Sequence, residues 1–424
     1  MQSIKLIHIG DIHYPQASNI GPTIDLKDEG FNSNFVSNLA PHPFLEVSKS
    51  LINCLEHQDI DGILFSGDLT SFGNDIEYKK CVDYFNQLIQ SAEAKTGKSY
   101  SLHAVPGNHD LKRKNLTSGD ISERFKEFEQ AWIDSGHQIL PTDNIKESSV
   151  FNSNCKLNIL SLNTCFGCGE EYKRFPQEIA DVYKKLVDDA DLEDKDQFES
   201  YCERIDTPAI HQDHLSKISE IVTNNQDELC FILGHHSLLP QPTVRIELYT
   251  EVINGGNARM ALSTLNNPVI YCHGHIHDDP VEIVSQPHND ESSLVLISAP
   301  EYIKGFNIIE TFFTETNYPV GIKITPYRAQ TWGGVRRKTD INISLRHPSS
   351  MMNFCDSRAV DIYRLLEDEY MRFDDVKKKA TSESIIVDDH ELEGILQELE
   401  WLKVVTISNK DRVSRAWSIG RIGL

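Results

Sequence analysis

The sequence predicts an α/β fold with buried sheets, and two features of its apolar pattern support this prediction. Short runs rich in β-branched and aromatic residues are followed by a glycine and then at once by polar residues, as expected for buried strands. These runs span residues 4–9, 63–66, 102–105, 229–233 and 269–273. The segments between them carry helical periodicity, for example at residues 45–55 and 78–89. Strands that alternate with helices are typical of α/β proteins.

Length and charge narrow the class of protein. The chain has 424 residues, 39% of them hydrophobic, which is enough for a large core and more than one domain. Its formal net charge is −23. An acidic surface repels nucleic acid at long range, so a broad basic face for DNA is not expected, although local basic patches remain compatible with this charge.

The sequence favours a cytoplasmic protein without a membrane anchor. No apolar run reaches the roughly 20 residues that cross a bilayer, and residues 1–10 have the pattern of a strand rather than a signal peptide. Nine scattered cysteines, an odd number, argue against a disulfide framework and for a reducing compartment. Cys165 and Cys168 form a single CxxC without a second pair, so we interpret them as reduced thiols in or near the core.

Each predicted strand end carries Asp, Asn or His, and ligands gather at the carboxyl ends of strands in α/β folds. The candidate metal ligands are Asp11, His13, Asp68, Asn108, His235, His275 and His277. Carboxylate and imidazole together suit Mn, Fe, Zn, Co or Ni, and the absence of cysteine from the set argues against a structural zinc site. Seven ligands exceed the needs of one ion. Two ions that share a carboxylate would use them all, and ions about 3.5–4 Å apart can clamp a phosphoryl displacement.

Five motifs in order resemble those of the calcineurin-like metallophosphoesterase superfamily, over roughly the first three-quarters of the chain. The motifs are Asp11-Ile12-His13, Gly67-Asp68, Gly107-Asn108-His109-Asp110, Gly234-His235-His236 and Gly274-His275-Ile276-His277. The resemblance implies a two-sheet β-sandwich flanked by helices, in four αββα layers. The amino-acid sequence of residues 67–70 and 105–110 most resembles that of the class III cyclic nucleotide phosphodiesterase branch.

The resemblance also implies a role for each motif residue. One ion would be held by Asp11, His13 and His277, the other by Asn108, His235 and His275, and Asp68 would bridge them. The two ions would most simply be manganese, with Fe, Zn, Ni or Co as alternatives. A hydroxide between them would attack phosphorus in line. His109 would contact the scissile phosphate, oriented by Asp110 or another carboxylate, to stabilise charge or protonate the leaving oxygen.

The histidine pair at residues 235–236 leaves one ligand ambiguous from sequence alone. Relatives with two adjacent histidines use the first as the ligand, which favours His235 over His236. His8 and His103 lie inside predicted strands and are interpreted as core histidines, and His273 as a packing residue or a support for the ligands. Two insertions, at residues 112–149 and 165–214, are interpreted either as lids over the site or as solvated helices.

The C-terminal part has a different plan from the first 329 residues, which are the predicted catalytic domain. Residues 330–354 are predicted to be a linker or a packed tail. Residues 355–424 show two helical patterns and a hairpin, a small α+β module that resembles a winged helix. Its second helix is acidic and therefore a poor surface for a DNA groove. We interpret the module as a protein-contact or dimerisation element, with DNA binding as the alternative.

Three functional hypotheses follow. The first is a metal-dependent phosphoesterase, most simply a phosphodiesterase with a nucleotide-type substrate. The second is a DNA or RNA nuclease of the same superfamily, because Lys112, Arg113 and Lys114 follow the third motif and residues 336–338 form another basic cluster that would neutralise phosphates. The third is a catalytically dead scaffold or binding protein, which is disfavoured because no ligand of the constellation is missing.

Overall fold

The structure is a computed structural model, and it describes sixteen stretches of the chain. These are residues 2–14, 43–71, 73, 75–112, 121–137, 145–152, 155–168, 207–224, 229–240, 251–265, 267–286, 289–314, 317–330, 333–345, 357–367 and 369–422. Arg113, Lys114 and most of the insertion at 165–214 therefore lie outside the described residues.

The first sheet has seven strands in the order β12-β11-β10-β1-β2-β3, with β13 also paired to β11. Strands β1, β2 and β3 are parallel, whereas β10 lies antiparallel to β1 on its other side. The strands are β1 (Gln2–Ile9), β2 (Gly62–Phe65), β3 (Ser101–Ala104), β10 (Gly305–Phe313), β11 (Pro319–Ala329), β12 (Val335–Arg337) and β13 (Ile341–Ser344).

The second sheet has six strands in the order β4-β5-β6-β7-β9-β8. Its centre, β5-β6-β7-β9, is parallel, and β4 and β8 are antiparallel edge strands. The strands are β4 (Lys146–Asn152), β5 (Cys155–Ser161), β6 (Cys230–Leu233), β7 (Val269–His273), β8 (Val281–Gln286) and β9 (Asn289–Ser298).

The two sheets pack face to face around an apolar interior. Alternate residues of β1 separate the layers: Ile4 and Leu6 face the second sheet, whereas Ile7 and Ile9 belong to the cluster on the helical side. This alternation follows from the period of two in a strand, and it explains why parallel strands covered on both faces are apolar throughout.

Helices cover the outer face of each sheet. On the first sheet lie α1 (Pro43–His57), α2 (Asp75–Thr96) and α4 (Lys126–Asp134), with the short α3 (Ile121–Arg124) before α4, and on the second lie α5 (Gln212–Asn224) and α6 (Gly255–Ser263). Phe125, Phe128 and Trp132 are buried. The predicted two-sheet sandwich flanked by helices is thus confirmed.

The C-terminal residues form a smaller unit with its own apolar core. It contains α7 (Ser357–Leu365), α8 (Phe373–Ser382) and α9 (Asp389–Trp401), with a small antiparallel sheet of β14 (Met371–Arg372), β15 (Val405–Ser408) and β16 (Ser418–Arg421). Helix α9 starts with the expected capping box, in which Asp388 and Glu391 bond each other's backbone amides. Three helices and a three-stranded sheet are compatible with a winged helix, and that assignment stays a prediction.

Helix α7 ends at Leu365, and Tyr370 lies beyond it and is 63% exposed. The described part of segment 330–354 contributes β12 and β13 to the first sheet, and its assignment as a linker or packed tail stays a prediction. Within the described residues, no helix combines the length and apolarity that a membrane crossing requires.

Candidate metal centre

The seven predicted ligands converge where the carboxyl ends of both sheets meet. Asp11 and His13 follow β1, Asp68 follows β2, and Asn108 opens a short 3₁₀ turn after β3. From the second sheet, His235 follows β6, and His275 and His277 follow β7; all seven side chains are buried or half-buried.

The first group of donor atoms comprises Asp11, His13 and His277, which lie within 4.8 Å of one another. The Nε2 atoms of His13 and His277 are 3.0 Å apart. His277 Nε2 lies 3.7 Å from Asp11 Oδ1, and His13 Nε2 lies 3.9 Å from Asp68 Oδ2. One carboxylate and two imidazoles therefore face a common point.

The second group of donor atoms is centred on His235 Nε2. This atom lies 3.1 Å from Asn108 Oδ1, 3.2 Å from His275 Nδ1 and 3.3 Å from Asp68 Oδ2. Asp68 is therefore the residue whose carboxylate faces both groups. The His235 ring, which the sequence favoured over His236, contacts Asp68 and Asn108, and its assignment as the ligand stays a prediction.

The donor set fits a pair of divalent transition-metal ions. Asp68 Oδ2 is buried and accepts no hydrogen bond from the described residues, whereas Oδ1 accepts one from the backbone amide of His109 at 2.9 Å. A buried carboxylate oxygen without a hydrogen-bond donor is costly unless a cation occupies its lone pairs. Oxygen and imidazole donors without sulfur match Mn, Fe, Zn, Co or Ni.

The pKa shifts of the proposed ligands also favour bound divalent ions. Burial raises the pKa of Asp11 to about 8, although the neighbouring His235 opposes this effect. Burial also disfavours the charged forms of Asp68 and His235, but their ion pair holds the pKa of Asp68 well below its usual value and raises the pKa of His235 to about 9. Burial lowers the pKa of His13 and His275. Protons thus compensate the buried carboxylates, and divalent ions would displace them.

Backbone strain marks the same residues. Nine described non-glycine residues have a positive φ, and five of them are predicted ligands: Asp11, His13, Asp68, His275 and His277. Such conformations cost about 1–3 kcal/mol each and persist where the surroundings impose them, commonly at functional sites. Backbone bonds hold these turns, for example from Ile12 and His13 amides to the Asp68 carbonyl at 2.8 and 3.0 Å.

Supporting contacts fix the orientation of individual ligands. His235 Nδ1 donates to the Ser66 carbonyl at 2.7 Å, which leaves the Nε2 lone pair directed at the centre. The His275 amide donates to both oxygens of Asp11, at 2.9 and 3.0 Å. Ser66 was not identified from the sequence, because it acts through its backbone carbonyl and carries no motif signal beyond its place before Gly67.

His109 lies beside the two groups of ligands. One of its ring nitrogens lies within 4.8 Å of donor atoms of His13 and Asp68, and its ring meets that of His13 edge-on at 4.9 Å. Its Nδ1 donates to the Ser71 carbonyl at 3.1 Å. The backbone of Ser71, and not the suggested Asp110, is therefore the described group that orients the ring.

Asp110 instead joins two loops of the site. Its carboxylate accepts backbone amides of Leu69 and Thr70 at 3.1 Å and of Gly107 at 2.9 Å. These bonds tie the turn after β2, which carries Asp68, to the turn after β3, which carries Asn108. Burial raises the pKa of Asp110 to about 6.

One residue in each basic cluster considered for nucleic acid forms ion pairs. Lys112 forms ion pairs with Asp75 and Glu127, and Arg337 pairs with Asp340. Of the residues that the nuclease hypothesis singled out after the third motif, only Lys112 can therefore be placed, and its charge is already compensated.

Comparison with known structures gives distant likenesses. One is a Staphylococcus aureus protein provisionally named a 5'-nucleotidase, with 12% identity and a TM-score of 0.39 over 95% of this chain and 59% of that chain. Another is purple acid phosphatase PPD1 from yellow lupin, with 11% identity and a TM-score of 0.41 over 81% and 54%. A third is a 5'-nucleotidase precursor from Thermus thermophilus, with 10% identity and a TM-score of 0.39 over 87% and 61%.

This chain thus spans less than two thirds of the length of each of these three proteins. Likenesses so distant indicate no substrate. No curated protein matches the sequence significantly. The family model described as calcineurin-like phosphoesterase matches residues 4–279, about two thirds of the chain, and this range contains all seven candidate ligands. The chain therefore belongs to the calcineurin-like phosphoesterases, a family of phosphoester hydrolases with a dinuclear divalent metal centre.

Proposed function

We propose that this protein hydrolyses phosphodiesters of nucleotide type with two divalent ions, of which manganese is the expected one. The observation that carries the proposal is the pair of donor groups that share Asp68, at the edge where both sheets end. Seven oxygen and nitrogen donors converge there without a cysteine, as a two-ion phosphoesterase centre requires.

In this proposal each side chain has one task. Asp11, His13 and His277 would hold one ion, Asn108, His235 and His275 would hold the other, and Asp68 would serve both. The chemistry that bound divalent ions would supply here is Lewis acidity, which neutralises phosphoryl oxygens and lowers the pKa of water towards ~7. Ser66 and Asp110 keep the ligands in position, through the His235 ring and through the loops after β2 and β3 respectively.

His109 is proposed to act on the phosphate or on the leaving oxygen. Its Nδ1–H donates to the Ser71 carbonyl, and Nε2 is the ring nitrogen proposed to face the substrate. The protonated ring donates from Nε2, either to a phosphoryl oxygen or to the departing oxygen. The half-buried position of His109 beside His13 is consistent with this role.

A small substrate is favoured over a nucleic acid by the charge of the protein. The net charge is −23, and Lys112 after the third motif and Arg337 in β12 form ion pairs. A nuclease needs unpaired cations along a phosphate backbone. The nuclease function remains the alternative, and the substrate comparison below distinguishes the two.

The C-terminal module is proposed to contact a protein partner or a second copy of the chain, within the domain division 1–329, 330–354 and 355–424. Its separate apolar core supports the division. Tyr370, Ile386 and Val413 are 63%, 87% and 76% exposed, and exposed apolar side chains favour protein contacts. A cytoplasmic location is part of the proposal, and the odd number of scattered cysteines, nine in the sequence, supports it.

The decisive experiment is metal reconstitution with parallel substrates. Protein stripped with EDTA should be inactive, and Mn²⁺ should restore hydrolysis with about two ions per chain. The reconstituted protein is then assayed on a bis-nitrophenyl ester, a mono-nitrophenyl ester, cyclic nucleotides and single-stranded DNA. Preference for the diesters and cyclic nucleotides supports the proposal. Activity in metal-free protein would refute the mechanism, and preference for DNA would favour the nuclease.

A His109→Asn variant tests the role of that side chain. Metal content should not change, whereas kcat should fall by about 10²–10⁴ with a smaller change in KM, because the interaction strengthens as charge develops. A smaller loss on an ester with a good leaving group would identify proton donation. The control is His57→Asn at the exposed end of α1. Loss of an ion in His109→Asn would move His109 into the ligand set.

A further inference from the structure

A second cluster of metal-binding side chains lies behind the centre already described. The sulfurs of Cys165 and Cys168 and a ring nitrogen of His236 lie within 4.8 Å of one another. All three residues are fully buried. From sequence the CxxC was interpreted as core thiols, because no second pair follows it at the spacing of a zinc site; His236 is 68 positions further along the chain than Cys168.

The local backbone brings the two thiols together. Cys168 donates its amide to the Cys165 carbonyl at 2.9 Å, which closes a tight turn with both cysteines at its ends. Cys165 Sγ lies 3.9 Å from His236 Nδ1. Thr164, just before the turn, accepts the backbone amides of His235 and His236 at 3.2 and 3.0 Å, so the cysteine turn and the histidine pair form one rigid unit.

Two side chains at this cluster, His236 and Arg124, each have a nitrogen without a hydrogen-bond partner among the described residues. His236 Nδ1, the ring nitrogen that lies 3.9 Å from Cys165 Sγ, is 3.0 Å from the Thr164 hydroxyl, and the buried His236 Nε2 has no hydrogen-bond partner among the described residues. Arg124 is 6% exposed, its Nη1 donates to the Cys168 carbonyl at 3.0 Å, and its Nε has no partner in the described part of the chain. No carboxylate in the described part of the chain pairs with Arg124. A buried cation beside the turn favours the thiolate form of nearby cysteines.

We propose that Cys165, Cys168 and His236 bind a third, thiophilic ion, for which Zn²⁺ is the expected occupant. Two thiolates and a neutral imidazole are a known zinc donor set, and bonds of ≈ 2.3 Å to sulfur and ≈ 2.0 Å to nitrogen place tetrahedral donors about 3.5–4 Å apart. The 3.9 Å between Cys165 Sγ and His236 Nδ1 matches this spacing. Binding releases the two thiol protons, so the charge of the ion is balanced by two thiolates.

The proposed site differs in chemistry from the two-ion centre. Thiolates select soft ions such as Zn²⁺, whereas the seven oxygen and nitrogen donors also accept harder ions such as Mn²⁺. The two sites adjoin through the His236 ring, which lies 4.7 Å from the His235 ring and 4.4 Å from the His275 ring. An ion bound to the cysteine turn would therefore hold the His236 ring, which packs against the proposed ligands His235 and His275.

Cobalt substitution tests the proposal by a readout other than hydrolysis. Co²⁺ is added to metal-free, reduced full-length protein, and the thiolate-to-cobalt charge-transfer absorption is followed in the near ultraviolet. The seven-ligand centre contains no cysteine, so it cannot produce this absorption. The wild type should show it and should bind one more Zn²⁺ per chain than Cys165→Ser or Cys168→Ser. Cys54→Ser, which removes another buried thiol, serves as the matched control and should behave as the wild type.

Three results would overturn the proposal. One is the absence of thiolate absorption in cobalt-loaded protein, and another is absorption that survives both cysteine substitutions. The third is a thiol titration of unfolded, as-purified protein that finds two thiols fewer than expected and no zinc, since that would identify a disulfide instead. Failure of the proposed phosphodiesterase function would appear separately, as a lack of Mn-dependent hydrolysis in the wild type.

Discussion

Gly107→Ala should disable the centre through one added methyl group. Gly107 has φ −104° and ψ −179°, an extended conformation that alanine adopts freely, so any effect must come from contacts. A Cβ at this position would overlap Asp68 Oδ1 and lie 2.7 Å from Asp68 Cγ, whereas ordinary contact begins at 3.4 Å. The carboxyl carbon must therefore retreat by about 0.7 Å, and the oxygen further.

The expected loss follows from this displacement. A misplacement of about 1 Å in a catalytic site can reduce the rate about 10²-fold, and overpacking costs about 1–3 kcal/mol of stability. We therefore expect kcat on a nitrophenyl diester to fall at least about 100-fold, with fewer than two Mn²⁺ per chain by metal analysis. The control is Gly256→Ala in α6, where a Cβ meets no atom within 4 Å. Wild-type turnover and two bound ions in Gly107→Ala would refute the proposed contact of Asp68 with both ions.

Three further predictions concern other parts of the molecule. Asp68→Asn should reduce occupancy at both metal positions, since one side chain faces both donor groups; retention of two ions by metal analysis would contradict this. Burial lowers the pKa of His103 to about 4, against 6.5 in the unfolded chain. The contribution of His103 to the free energy of unfolding is therefore fully present above pH 6.5 and is lost as the pH falls towards 4. The loss amounts to about 2 kcal/mol at pH 5. In urea unfolding, the free energy of unfolding of His103→Gln should depend less on pH than that of the wild type. An unchanged pH dependence would contradict the lowered pKa of His103. Trp401→Ala should destabilise the packing of the C-terminal unit by about 1–3 kcal/mol, because its half-buried ring covers Gly321 and lies 5.0 Å from the Phe312 ring; calorimetry that finds no change would exclude this contact as a stabilising one.

The centre was predictable because its residues directly follow apolar strands. In an α/β fold the carboxyl ends of such strands meet at one edge of the sheets. Asp11 and His277 could therefore be assigned to one site, although 266 positions of the chain separate them. The edge strands were not predictable in the same way. Strand β4, with the sequence KESSVFN, is mostly polar and half-exposed, and it is held by pairing with β5 rather than by its own apolar pattern.

Contacts between loops were the other part that the sequence did not reveal. Asp110 was assigned to His109 because the two are neighbours in the chain, but its carboxylate bonds amides of Leu69 and Thr70 some 40 positions earlier. The proximity of Cys165 to His236 is equally invisible in the spacing of the residues. Such pairings depend on where a turn lies after folding, which no local periodicity encodes.

The division of the ligands between two sheets sets the order in which activity can arise during synthesis. Asp11, His13, Asp68 and Asn108 all belong to the first sheet and lie in the first 108 residues, whereas His235, His275 and His277 come from the second sheet. Strand β1 also needs β10, at Gly305–Phe313, as its antiparallel neighbour. A nascent chain therefore carries half of a metal site for much of its synthesis and completes that site only after more than 270 residues. With the proposed ligand assignment, hydrolysis requires both sheets, so the metal centre is complete only in a chain that has formed the second sheet.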